Sequence, residues 1–87
     1  MKSRKSTIKR STQETSITVS VNLDGTGKTD IKTGINFLDH LIVSFGKHSL
    51  MDLKVMAKTN DNIEHHLIED TAITLGQAID KALDSRK

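Results

Sequence analysis

At 87 residues and 9.6 kDa the chain holds one small domain at most. Apolar residues are 34% of it, Phe37 and Phe45 are its only aromatics, and it has no Trp, Tyr, Pro or Cys, so a thin core of Ile, Leu, Val and Met must hold the fold. A core that thin is expected to lean on association or a bound metal.

The absence of Cys excludes disulfides, zinc ribbons and thiol catalysis. No apolar run approaches the about 20 residues of a membrane span. No apolar region follows the basic start, which argues against a secretory signal. The expectation is a soluble, cytoplasmic protein without a membrane partner.

The formal charge of +2 is unevenly spread. Residues 1–10 carry Lys2, Arg4, Lys5, Lys9 and Arg10 and no acid, while the rest of the chain is net negative. This divides the chain into a basic N-terminal arm (1–10) and a single domain (11–87). The arm reads either as a polyanion contact or as a solvated terminus. It has no aromatic side chains to stack on bases, so nucleic acid is not expected as a partner.

In chain order, Thr7–Thr12 gives a weak strand pattern. Residues 15–23 alternate strictly, with Ile17, Val19, Val21 and Leu23 on one face, and predict a half-buried strand. Asp24-Gly25-Thr26-Gly27 reads as a turn, and a short strand near Lys28–Thr33 is predicted as the hairpin partner. Thr33-Gly34 breaks that strand. Ile35, Leu38, Leu41, Ile42 and Phe45 then recur at helical spacing, with Asn36 as the expected cap, Asp39 three residues on, and Gly46 weakening the helix near its end. Leu53, Val55 and Ala57 alternate with charged residues as a further strand. A polar loop at residues 59–62 leads into a last helix from about Glu64 to Leu83, with a stripe of Ile68, Ala72, Leu75, Ile79 and Ala82 and a capping-box-like start from Asp61 and Glu64. The order β-β-β-α-β-α predicts an α+β fold: a four-stranded mixed sheet with two helices on one face.

The chemistry concentrates in IEHHLIED, residues 63–70. His65 and Glu69 are four apart on one helix face; His66 and Asp70 are four apart on a face turned by about 100°. A nitrogen and an oxygen one turn apart can reach one divalent ion, and adjacent imidazoles turned away from each other suit two ions. His40, beside Asp39 on the first helix, is a second candidate ligand, with Asp39 able to orient it. His48 ends that helix, where a cation also interacts well with the carbonyl terminus. The same residues also read as solvated polar side chains. Imidazole and carboxylate without thiolate suit Mn, Fe, Co, Ni or Zn. Gly25-Thr26-Gly27 lacks the helix and third glycine of a nucleotide loop, and no zinc-protease motif or nucleophile elbow occurs.

Taken together, the segments RSTQET (10–15), LDGTG (23–27), TGINFLDHL (33–41), Lys47-His48 and EHHLIEDTAITLGQAI (64–79) resemble the N-terminal half of imidazoleglycerol-phosphate dehydratases, enzymes of histidine biosynthesis. The resemblance implies a hydro-lyase of the carbon–oxygen lyase class. Its subunit is a duplication of two such halves, assembled into a symmetric oligomer with paired Mn2+ ions at sites between subunits. Carried over, His40, His65, His66 and Glu69 are the metal ligands, Glu14 is the candidate for proton transfer, and His48 is a further catalytic candidate. The implied substrate is a small phosphorylated imidazole, and the cofactor is Mn2+ or another divalent transition metal. A twofold pairing with a copy of itself would rebuild the duplicated subunit, making this chain a homo-oligomer. The alternative is a noncatalytic metal-binding homo-oligomer: a half-domain fragment or a designed, ancestor-like module.

Overall fold

The computed structural model describes residues 4–84. Six elements follow in the predicted order: β1 (Lys5–Ser11), β2 (Thr15–Asn22), β3 (Thr29–Lys32), α1 (Asn36–Ser49), β4 (Asp52–Thr59) and α2 (Glu64–Asp84). The strands form one mixed sheet in the order β1-β2-β4-β3. Both helices cover the same face, α1 over β3 and β4, α2 chiefly over β1 and β2.

The period-2 alternation of β2 and β4 decides which face is covered. Ile17, Val19, Val21, Leu53 and Val55 point under the helices and are buried, while Ser16, Thr18, Ser20, Lys54 and Lys58 stand on the open face. Most of the stretch read as a basic arm is the edge strand β1, which pairs with β2 from Lys5↔Asn22 to Ser11↔Ser16. Lysines on its open face discourage further strand pairing. Residues 1–3 lie outside the described residues.

The structure revises four expectations. First, β3 is not a hairpin partner of β2. It pairs parallel with β4, Thr29↔Leu53 to Lys32↔Met56, because the loop between Asn22 and Thr29 is long enough to cross the end of β4. Gly25 lies against Asp52 there: a Cβ on it would meet the carboxyl carbon at 2.3 Å. Asp52 Oδ1 accepts hydrogen bonds from the amides of Thr26 and Lys28, both at 2.9 Å.

Second, Asn36 does not cap α1. It is the first helical residue, Ile35 holds the cap position without a side-chain bond, and Asp39 turns back to accept from the Thr33 amide and hydroxyl. Third, α1 continues through Gly46 to Ser49, and the glycine also seats the helix, since a Cβ there would approach Thr29 Cγ2 to 2.6 Å.

Fourth, the face of α2 on the sheet is Leu67, Thr71, Thr74, Ala78 and Ala82; Ile68 and Ala72 are exposed. Small residues let the helix sit close to β1 and β2, where Ser6 Oγ donates to the Ala78 carbonyl. Ala72, Leu75 and Ile79 of the predicted stripe turn instead toward a groove of about 390 Å³ between the helices, which Leu41 and Phe45 also line.

Candidate metal centre

Because β3 and β4 are parallel and each is followed by a helix, α1 and α2 start at the same end of the sheet. The β1–β2 turn lies there too, since Thr15 is opposite Thr59, the last residue of β4. Three chain segments therefore converge, and short hydrogen bonds fix them. Thr12 Oγ1 accepts from the amides of Glu14 and Thr15, both at 3.0 Å, which shapes the turn. The Asn60 amide donates to the Glu14 carbonyl at 2.7 Å, and Asn60 Nδ2 donates to the Thr12 carbonyl and Ser16 Oγ, both at 3.2 Å. Fully buried Thr15 donates from Oγ1 to Asp70 Oδ2 at 2.7 Å, tying the start of β2 to the second turn of α2.

On this frame the candidate side chains meet in two groups. His65 Nε2 and Glu69 Oε1 are 3.0 Å apart on an exposed face of α2, as the four-residue spacing predicts. Half-buried His66 faces two carboxylates: its Nδ1 is 2.7 Å from Asp61 Oδ2 and 3.0 Å from Glu14 Oε2. Glu14, Asp61 and His66 each present a ligand atom within 4.8 Å of the others. One nitrogen and two carboxylate oxygens form a donor set that suits a divalent transition ion, and the His65–Glu69 pair has the same chemistry.

The charges respond to each other. The hydrogen bond to Asp61 raises the pKa of His66 above the usual imidazole value, partial desolvation opposes this, and Glu14 adds to the rise. Asp61 is held below the ordinary carboxylate range, first by His66 and then by the Ile63 amide.

His40 lies near the start of α1, at the same end of the sheet, and is exposed. Among the described residues it has no hydrogen bond or ion pair, and Oδ1 of Asp39 is taken by Thr33. His48 lies in the last turn of α1. Eight residues separate it from His40, about 12 Å along the helix, so this chain does not bring it to the Glu14–His66 group.

Sequence reasoning did not give Asp61 this role, having read it as a capping-box residue. Its Oδ1 instead accepts from the Ile63 amide at 3.0 Å in a local turn, leaving Oδ2 for His66. An Asp placed five residues before a His, within a polar loop at a helix start, is the signal that was available. The Thr15–Asp70 bond had none, since it depends on the register of β2 beneath α2.

The family model for imidazoleglycerol-phosphate dehydratase matches residues 33–87, which contain both FLDH and HHLIED. The chain belongs to the imidazoleglycerol-phosphate dehydratase family. An imidazoleglycerol-phosphate dehydratase of Brucella suis is 58% identical over 85 residues, covering 97% of this chain. The chain spans 42% of the length of that relative. The FLDH and HHLIED segments within the family match lie at the end of the sheet where both helices start. No helix among the described residues is long and apolar enough to cross a membrane.

Proposed function

We propose that this chain carries the Mn2+ centre of an imidazoleglycerol-phosphate dehydratase, and that pairing with a copy of itself completes the site. The reaction is loss of water from imidazoleglycerol phosphate to give imidazoleacetol phosphate. The observation that supports it best is the convergence of His65–Glu69 and Glu14–Asp61–His66 on one end of the sheet.

His65 and Glu69 hold one ion, and His66, turned about 100° away on the helix, serves a second; His40 from α1 of either copy adds a ligand. A bound divalent ion supplies Lewis-acid withdrawal of electrons from the substrate imidazole. Glu14, on a turn fixed by Thr12 and Asn60, takes the proton from carbon as the general base. The same carboxylate, or an imidazole beside it, protonates the departing hydroxyl. His48 reaches a site only if the neighbouring copy supplies it.

Self-association has a physical drive in this chain. Phe37, Leu41, Phe45 and Ile73 on the helices are all exposed, at 75%, 55%, 42% and 47%. Together with the groove between α1 and α2 they leave an apolar helical face that a second copy would cover. Metal shared across that contact would stabilise it further.

Incubation of purified chain with Mn2+ and imidazoleglycerol phosphate tests the reading. Formation of imidazoleacetol phosphate that is lost on Glu14→Gln is the expected result. Metal binding and association without any product would leave a noncatalytic metal-binding module.

A further inference from the structure

We propose that Asp61 is a positioning residue that fixes His66 as its Nδ1–H tautomer, so that Nε2 is the ring's only lone pair and the atom offered to a metal ion. This rests on the metal-centre reading above and names the ring atom it uses.

The two oxygens of Asp61 have separate duties. Oδ1 is committed to the loop, accepting from the Ile63 amide and from Thr59 Oγ1, both at 3.0 Å. Oδ2 is therefore presented to His66 from a carboxylate that cannot rotate freely, at 2.7 Å from Nδ1. An ionised carboxylate only accepts, so Nδ1 must carry the proton. Glu14 Oε2, 3.0 Å from the same nitrogen, also only accepts, so both neighbours select the same tautomer. Nε2 lies across the ring and has no partner among the described residues. A carboxylate behind a metal-bound imidazole fixes the ring's tautomer and orientation and raises its basicity. Asp61 also settles the competition between the two roles open to Glu14: with Asp61 holding the imidazole, Glu14 is free to move a proton.

Asp61→Asn is a sharp test because it spares the loop. The amide oxygen can still accept from Ile63 and Thr59, which leaves the amide N–H donors facing Nδ1. Glu14 still accepts at the same nitrogen, so the ring should then populate both tautomers, and the double variant Asp61→Asn/Glu14→Gln should hold Nε2–H. Ring nitrogen shifts of 15N-labelled, metal-free chain at alkaline pH read this directly. The expected result is Nδ1–H in the parent, a raised share of Nε2–H in Asp61→Asn, and Nε2–H in the double variant; an Asp61→Asn ring that stays wholly Nδ1–H overturns the role of Asp61. Added Zn2+, a diamagnetic probe, should shift Nε2 in the parent, and Asp61→Asn should weaken Zn2+ binding by about 10–100-fold. An Nε2–H tautomer in the parent overturns the proposal. So does zinc at Nδ1 with loss of its proton, which would make Asp61 and Glu14 direct ligands. A parent chain that binds no Zn2+ while its ring is Nδ1–H overturns the metal centre and upholds Asp61 as the residue that sets the ring.

Discussion

The two ends of the sheet use the same residue types to opposite purposes. At the end where β4 begins, Asp24 and Asp52 are closed by their own chain. Asp24 takes the Arg4 guanidinium at 2.8 Å, and Asp52 takes two amides of the crossing loop. At the end where β4 finishes, Glu14 and Glu69 stand exposed beside histidines, and two carboxylates crowd one imidazole nitrogen. Carboxylates satisfied by guanidinium and backbone build structure. Carboxylates set against imidazole, with their outer sides open, leave room for an ion or a substrate.

Leu67→Ala should erase the difference by loosening both ends. Leu67 is 2% exposed and roots the first turns of α2 in the core. A loss of about 2–5 kcal/mol is expected from denaturant unfolding, with metal binding lost alongside. His65→Ala should separate the ends cleanly: Mn2+ affinity should fall by more than about 10-fold in calorimetry, with the metal-free unfolding midpoint unmoved. Asp52→Ala should do the reverse, lowering the unfolding midpoint and leaving Mn2+ affinity alone.

The histidine end should also titrate on a limb that the other end lacks in the metal-free chain. Asp24 and Asp52 have lowered pKa values, from the Arg4 hydrogen bond and the Thr26 and Lys28 amides respectively. Their contribution is present above the unfolded carboxylate value near ~4 and is lost as pH falls through the lowered folded values. His66 is raised, so its contribution is complete below about 6.5 and is lost as pH rises through its folded value. Unfolding midpoints measured against pH should show both limbs, and His66→Ala should flatten the upper one and, by releasing Asp61, also shrink the lower one.

The smallest effect concerns a residue at neither carboxylate cluster. Leu50 closes α1 in the left-handed conformation, φ 61°, with its side chain exposed. Leu50→Gly should relieve that strain and raise stability by about 1 kcal/mol.

Much of this was legible in the sequence because it follows from short-range periodicity. The alternation of residues 15–23 and the four-residue step from His65 to Glu69 each specify a local geometry that the fold keeps. What was not legible depends on which segments become neighbours. The parallel seat of β3 rests on a loop crossing β4, the rotated face of α2 on a sheet that admits Thr71 and Thr74, and the Asp61–His66 contact on one loop's turn. Glu14 and His66 are far apart in sequence. The motif resemblance named both, but only the fold places them 3.0 Å apart.

The central claim is that a copy of the chain and a divalent ion complete this end of the sheet together. Native mass spectrometry of the chain with and without Mn2+ tests it most directly. The account expects a dimer or larger assembly carrying bound manganese, which His65→Ala depletes of metal. A monomer without manganese, at concentrations where the chain is folded, would contradict it.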